Sequence, residues 1–477
     1  MAETPPQAPA HAGPPDHPHR PTVAVDRDLQ GEGASRKTIV AWALWDWGTQ
    51  PFNTVITTFV FSVYITSQAF GLTDATSVKL SISTAIAGFL IAALAPVLGQ
   101  NADRTGHTVR DLRLLTWGVA AISAALYFVA PRPAFLWLGL GLLAVGTVVS
   151  EIAGVNYNAL LNRVASAKNV GKVSGFGWGM GYLGGIIVLL ALYFLFIKPQ
   201  VTILGIPNDD SMGIRLSMIA CGVWTLLFTI PPFLALRDRP PQPGVHHHAR
   251  AGVVESYVSL GRTIRSLWRH QRQTLAFLAA SALFRDGLAG VFAFGAVIAA
   301  GTFGFSSGTV IIFGAAANII AGVATMLVGL LDDKLGPKAV ILGTLGVLVV
   351  AGLGVFVLHD RGPLVFWVLG LVMSACVGPA QAASRSFLAR LVPVGRSGEI
   401  FGLYATTGRV VSFLSPVAFG AMIGLGHLVL GADVQTQYWG ILGIVLVLAC
   451  GLVVTIPVRP VSQHAGWSEE SRGGPNR

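Results

Sequence analysis

A short polar run lies between two long apolar ones at Gly99–Arg113, GQNADRTGHTVRDLR, and a second run, GLLDDKLGPK at Gly329–Lys338, repeats its pattern. Gly99 aligns with Gly329, Asp103 with Asp333, Arg104 with Lys334 and Gly106 with Gly336, at an offset of 230 residues. Another set of landmarks agrees: Arg163 aligns with Arg390, Gly171 with Gly398 and Gly175 with Gly402, at an offset of 227. A repeat at nearly half the chain length requires two similar halves. Each half must place a charged Gly-Asp-basic-Gly turn at the same point of its own architecture.

The stretches around those turns decide the medium. Only 11% of the 477 residues are charged, against roughly 25% in soluble domains, and the mean hydropathy is +0.65. Twelve apolar runs, each long enough to cross a bilayer, occupy 38–66, 78–100, 112–130, 134–162, 171–197, 213–236, 272–300, 306–331, 338–358, 363–392, 396–426 and 435–456. The expected fold is an all-α membrane protein with twelve transmembrane helices in two pseudo-symmetric six-helix bundles, 38–236 and 272–457. A cytoplasmic linker at 237–271 joins them, and tails at 1–37 (disordered) and 458–477 flank them, both cytoplasmic.

The net charge of +10 does not point to nucleic acid, because the basic residues report topology. The loops after spans 2, 4, 6, 8 and 10 carry Arg104, Arg110 and Arg113, then Arg163, Lys168 and Lys172, then the arginines from Arg237 to Arg272, then Lys334, Lys338, Arg390 and Arg396. The alternate loops offer only Arg132, Lys198 and Arg361, with Lys79 at a span edge. The positive-inside rule places the basic loops and both termini in the cytoplasm. Cys221, Cys376 and Cys450 lie inside apolar runs and suggest neither a disulfide framework nor a metal site. No cofactor is expected, and no cleavable signal peptide is visible. The Pro- and His-rich tail, with His11, His17 and His19, reads as solvated, and so does the His246–His248 triplet.

The linker opens with RDRPPQPG, a flexible joint, and ends in VVESYVSLGRTIRSLWRH. Val254, Tyr257, Val258, Gly261, Ile264, Leu267 and Trp268 fall near one helical face, with Arg262, Arg265 and Arg269 elsewhere. The spacing predicts an amphipathic helix on the inner membrane surface.

Six ionisable residues fall well inside apolar runs: Asp46, Glu151, Arg285, Asp286, Arg385 and Arg409. Each costs roughly 2.5–3.5 kcal/mol at mid-helix. Six unpaired charges would cost more than the ~5–15 kcal/mol that holds a domain together. They must therefore pair or face water, either as locks between helices or as the lining of a substrate and ion path. Three acids against three arginines allow pairing, with Arg409 and Arg285 as the favoured structural partners. Gln50, Asn53, Asn156, Asn158, Asn318 and Gln381 are the uncharged polar residues beside them.

Span 1, AWALWDWGTQPFNT, is expected to kink at Pro51 and free backbone carbonyls near Gln50 and Asn53. Trp42 reads as an interfacial anchor. Span 5, GKVSGFGWGMGYLGG, carries Gly171, Gly175 and Gly179 four apart, and Gly177, Gly181 and Gly185 likewise. That pattern predicts close helix packing, not chemistry. Asp332–Asp333 reads as structural. No catalytic constellation or phosphate loop appears, so an enzyme is not expected.

The paired motifs, after the second and eighth of twelve spans, resemble the signature loop of the major facilitator superfamily. WALWDWGTQPFNTV, NYNALLNRVA, GKVSGFGWGMGYLGG, GPAQAASRSFLARLVP and GEIFGLY are together similar to the autophagy-associated vacuolar amino-acid effluxer family and its bacterial relatives. The resemblance covers ~38–457. It implies a central cavity lined by spans 1, 4, 7 and 10, and alternating access. It also implies a conformational latch at each repeated turn. Asp103 and Asp333 would cap neighbouring helices while Arg104 and Lys334 pair across the turns; Gly99, Gly106, Gly329, Gly336 and Lys338 complete the two motifs. His107 and Thr108 stand where basic residues are usual, leaving Arg110 and Arg113 to substitute.

The resulting expectation is a monomeric secondary transporter of a small polar solute, with amino-acid export as what the resemblance implies, coupled to protons through Asp46 or Asp286, with Glu151 as the third candidate. Arg385 would bind a substrate carboxylate or act as the switching counter-ion. The arginine-rich, lysine-poor composition reads as bacterial and places the protein in the plasma (inner) membrane. The alternatives are an exporter of lipophilic drugs or metabolites and a transporter-derived receptor or scaffold.

Overall fold

The structure is a computed structural model that describes residues 34–238, 253–392, 396–431 and 434–459. The greater part of both tails, the Pro-rich joint and His246–His248 lie outside the described residues. The first bundle contains α1 (Arg36–Gln50), α2 (Thr73–Thr105), α3 (Thr108–Ala125), α4 (Leu136–Ala159), α5 (Val170–Leu192) and α6 (Met212–Ala235). Helix α7 (Val253–His270) follows in the linker. The second bundle contains α8 (Arg272–Gly301), α9 (Ser307–Leu335), α10 (Pro337–Val357), α11 (Pro363–Leu391), the broken pair α12 (Ser397–Val410) and α13 (Leu414–Leu430), and α14 (Gly440–Thr455).

Among the described residues, eleven helical segments are long and apolar enough to cross a membrane. The first span is the twelfth, and its polarity and its break set it apart. Ser35 starts α1 by accepting from the Thr38 amide. At Pro51 the helix does not snap; it widens into a π-helical stretch, Pro51–Phe59, and resumes at Phe61–Ile65. The Asn53 carbonyl, expected to be free, accepts from the hydroxyls of Thr57 and Thr58, at 2.7 Å each. The proline therefore yields a wide turn whose exposed carbonyl is satisfied within the chain.

Helix α2 has 33 residues, about 50 Å at 1.5 Å per residue. That exceeds a hydrocarbon core of ~30 Å, so its end at Thr105 stands beyond the apolar layer. That end of the molecule, which carries the arginine-rich loops, is its basic end. Both repeated turns lie there, and their last glycines adopt positive φ, 70° at Gly106 and 87° at Gly336. A side chain is disfavoured there, which explains why the motif ends in glycine twice.

One apolar core runs across both bundles, from Trp42 and Leu160 to Phe277, Phe387 and Leu448. A second, around Phe52, Phe61, Leu126, Leu140 and Met218, belongs to the first bundle alone. The outer surface is apolar: Phe89, Leu234, Val350 and Leu364 are all exposed, as a bilayer-facing surface requires.

Candidate functional site

At the centre, α1, α4, α5 and α11 meet around Arg385, which is only 3% exposed. Its Nη1 lies 3.7 Å from Asp46 Oδ2 and donates to Asn158 Oδ1 at 3.1 Å. Its Nε donates to Ser174 Oγ at 3.0 Å, and its Nη2 to the Ser174 carbonyl at 2.7 Å. All four contacts cross from the second bundle to the first. The guanidinium also lies 5.2 Å from the Trp42 ring, 5.6 Å from Tyr157 and 5.7 Å from Trp178. Burying a charge is tolerable only when it is paired and hydrogen-bonded. Arg385 meets both conditions, and its forked geometry uses three separate arms.

The aromatic wall is continuous. Tyr157 stacks between Trp42, at 4.4 Å, and Trp45, at 4.3 Å. Trp42 is fully buried and donates through Nε1 to the Tyr157 carbonyl, so it is a core residue rather than an interfacial anchor. The glycines of α5 also do more than pack. A Cβ on Gly177 would meet the Trp42 ring at 2.8 Å and Arg385 Nη2 at 3.1 Å. Its absence leaves the slot that the guanidinium enters.

The remaining interior charges separate into two kinds. Glu151 and Arg409 form an ion pair at 2.5 Å between α4 and α12, again from bundle to bundle. Arg285 stays within the second bundle. It lies 3.8 Å over the Tyr404 ring and donates to the Tyr404 carbonyl at 2.9 Å. Asp286 is engaged within the second bundle. Its Oδ2 accepts from the Ser415 amide at 2.6 Å, and Ser415 Oγ donates to the Asp286 carbonyl. Ser415 is in the first turn of α13, so Asp286 is a helix cap across the break in span 11.

The uncharged candidates scatter. Asn53 is exposed and Gln50 sits against Gly181. Asn156 is buried, with Oδ1 unpartnered among the described residues. Gln381 lies one turn before Arg385 on α11, and Asn318 donates to its own helix at Gly314.

The repeated landmarks pack on each other crosswise. Asp103 accepts from the amides of Gly398 and Glu399, at 2.9 Å each, capping α12. Asp333 accepts from the amides of Gly171 and Lys172, at 2.8 Å each, capping α5. Gly99 faces Gly398, and Gly329 faces Gly171 and Gly175, backbone on backbone. Pro96 lacks the N–H that would bond the Ala92 carbonyl, and the Thr406 hydroxyl takes that carbonyl at 3.0 Å. Above this seam Gly88 meets nothing within 4 Å. The bundles are thus closed at the basic end.

The expected pairing of Arg104 and Lys334 across the turns is not found among the described residues. Arg390 Nη2 holds Asp333 at 3.0 Å and Asp332 at 3.2 Å, and the Ser386 hydroxyl donates to Asp332. Arg104 donates to Ser259 of the linker helix, and Lys338 to the Ile456 carbonyl. Arg113 lies over Trp117, and Asp238 holds the Val109 and Arg110 amides. The reason is that Arg390 of α11 takes the carboxylates of the second turn, and Arg104 of the first turn is taken by Ser259 of α7.

A family model described as "Vacuole effluxer Atg22 like" matches residues 62–459. The chain belongs to that family. It is 29% identical over 392 residues to the "Uncharacterized MFS-type transporter YxiO" of Bacillus subtilis (strain 168), covering 79% of this chain and 86% of that protein. It is 30% identical over 278 residues to "Autophagy-related protein 22-1" of Aspergillus fumigatus, covering 52% of this chain and 43% of the fungal protein. Among solved structures, the proton:xylose symporter XylE matches with a TM-score of 0.67 at 14% identity, over 88% of this chain and 94% of that one. A bacterial homologue of the iron transporter ferroportin, in an outward-facing state, matches with a TM-score of 0.64 at 13% identity, over 88% and 98%. Those two likenesses establish the fold. This member of the Atg22-like family is a multi-pass membrane transporter of the major facilitator type, built from twelve helices in two bundles.

Four residues at the centre escaped the sequence reading: Tyr157, Ser174, Trp178 and, as a core residue, Trp42. Ser174 is a lone hydroxyl in a glycine row, and that was the available signal. A small polar side chain at the narrowest packing point is well placed to receive a charge from the opposite bundle.

Proposed function

We propose that the protein is a secondary active transporter that moves a small polar solute by alternating access, with Asp46 carrying the coupling proton. The observation behind this reading is the buried Asp46–Arg385 contact across the bundle interface. While the basic end is closed, Arg385 is spent on Asp46, Asn158 and Ser174. If that end opens, Arg385 must leave with α11, and Asp46 loses its cation. A carboxylate left in a low-dielectric site without its partner favours protonation. This couples proton uptake to the conformational change. Once free, Arg385 is the natural ligand for a solute carboxylate, which agrees with an amino acid as cargo. The arginine-rich loops support placing the basic end and both termini in the cytoplasm, and the plasma membrane is the corresponding location.

The test is transport in proteoliposomes under an imposed pH gradient. Asp46→Asn should abolish gradient-driven accumulation while leaving exchange of the solute measurable. Wild-type accumulation by D46N would sink the mechanism. The solute is found first by thermal-shift screening against amino acids, peptides, sugars and nucleosides, since a ligand at 100 times its Kd stabilises by ~2.7 kcal/mol.

A second reading, export of lipophilic compounds, draws on one feature: Tyr182 of α5 and Phe292 of α8 stack at 6.1 Å across the bundles. Efflux of a lipophilic cation that is lost in Y182A would favour it.

A further inference from the structure

Helix α7 turns an unexpected side to the protein. Ser256, Thr263 and Leu267 are buried against the bundles, so the docked face is mostly small and polar. The outward face carries Tyr257 (42% exposed), Val258 (54%), Ile264 (39%) and Trp268 (62%). Tyr257, Gly261, Ile264 and Trp268 follow a 4-3-4 spacing, one stripe of a helix. Arg262, Arg265 and Arg269 run beside that stripe, one position on, and all three are exposed. Arg272 lies 6.0 Å from the Trp268 ring. A stripe of Val258, Ile264 and Trp268, edged by arginines and exposed beside a Tyr257 whose hydroxyl reaches back to α2, needs a surface that is apolar beneath and anionic above.

The height of the helix agrees. The Tyr257 hydroxyl donates to the Ala93 carbonyl at 2.7 Å. Ala93 lies ten residues along α2 from the Asp103 latch, about 15 Å toward the membrane centre. Allowing for the reach of a tyrosine side chain, α7 runs beside the last turns of α2, where Ser259 meets Gln100 and Arg104.

We propose that the outward face of α7 binds anionic phospholipid, and that this binding holds the basic end closed. The aromatic and aliphatic stripe enters the glycerol and upper acyl region, where Trp and Tyr are at home. Arg262, Arg265 and Arg269 take headgroup phosphates. The connection to the latch is direct. Ser259 Oγ accepts from Gln100 Nε2 at 3.0 Å and from Arg104 Nη2 at 3.1 Å. Gln100 Nε2 also donates to Glu399 Oε1 at 3.0 Å, and the Glu399 amide is one of the two held by Asp103. A lipid that pins α7 therefore pins a helix bonded, through Gln100, to the first turn of α12. This surface is independent of the solute site, and its test needs no solute.

The experiment places the full-length protein in nanodiscs of phosphatidylcholine alone or of phosphatidylcholine with 30% phosphatidylglycerol, and follows hydrogen–deuterium exchange over 253–270 and 397–404. A basic side chain near an anionic surface strengthens binding about fivefold, so three give on the order of 100-fold. Phosphatidylglycerol should slow exchange in both segments of the wild type, and the effect should vanish in R262Q/R265Q/R269Q and in 0.5 M salt. These exposed substitutions leave the docked face of α7 intact. Equal exchange in the two lipid mixtures would overturn the proposal. So would a phosphatidylglycerol effect that survives in the triple variant, or protection of 253–270 in lipid-free detergent that rises with protein concentration, which would make the occupant a second copy of the chain.

Discussion

Asp103 and Asp333 do the same work in opposite directions: each carboxylate holds two first-turn amides of a helix in the other bundle, Asp103 at Gly398 and Glu399 and Asp333 at Gly171 and Lys172. One amide partner of each, Gly398 and Gly171, is itself a repeated glycine landmark. The two halves of the chain are therefore joined by two copies of one contact, related by the pseudo-symmetry of the fold. A charged cap at a helix N-terminus satisfies orphan amides and complements the helix dipole.

Removing one cap should loosen the basic end without unfolding a bundle. A lost cap costs about 0.5–2 kcal/mol, and 1–2 kcal/mol moves a two-state ratio by roughly 5–30-fold. Spin labels at Lys168 and Lys334, exposed residues of opposite bundles at that end, should report a longer distance population in D103A and in D333A. D103N should shift less, since an amide oxygen still accepts. An unchanged distance distribution in D103A/D333A would show that the seam closes without its caps.

The glycines at the seam allow a test by addition of a single methyl. A Cβ on Gly175 would lie 2.6 Å from the Thr325 carbonyl oxygen and 2.9 Å from Gly329 Cα, and one on Gly398 would strike the Gly99 backbone. The atoms in the way are backbone and cannot step aside. G175A and G398A should favour separation of the basic ends in the same spin-label measurement, while G88A and G154A, with nothing within 4 Å, should behave as wild type. Closure of G175A at the wild-type distance would mean that the seam is looser than its contacts indicate.

Much of this architecture was legible in the chain. Twelve long apolar runs, alternating basic loops and a doubled Gly-Asp-basic-Gly turn leave little freedom in fold or topology, and the family resemblance implied that the carboxylates at those turns are caps. What was not legible depended on contacts between distant helices. Ser174 looks like packing in a glycine row until Arg385 is brought beside it. Trp42, near the end of its span, looks like an interfacial anchor until Tyr157 covers it. Asp286 gives no sign of a capping role until span 11 breaks at Val411–Phe413. Pro416, which cannot donate to the Ser412 carbonyl, was the sign of that break.

The Asp46–Arg385 contact should behave as a coupled pair. Removing one member of a buried pair strands the other and costs about 3–5 kcal/mol. R385Q and D46N should each lower the thermal midpoint, with R385Q the worse because it also leaves Ser174 and Asn158 without their donor. D46N/R385Q should lose less than the sum of the singles, with a coupling of about 0.5–3 kcal/mol. R385K should not rescue, because an ammonium cannot reproduce three arms in one plane. Strict additivity in the cycle would show that the 3.7 Å separation carries no interaction worth the name.

Asp286 separates a capping role from a titrating one. Its carboxylate meets the Ser415 amide within the second bundle, and α13 begins there because Pro416 has broken the ladder. As a cap, Asp286 should tolerate an amide and not a methyl. D286N should keep most of the stability, and D286A should lose about 1–2 kcal/mol through the orphaned amide, read as a lower thermal midpoint in detergent. Both variants should retain the pH dependence of transport, which D46N should lose. A D286N protein of normal thermal midpoint whose transport no longer responds to pH would return Asp286 to the proton path and remove Asp46 from it.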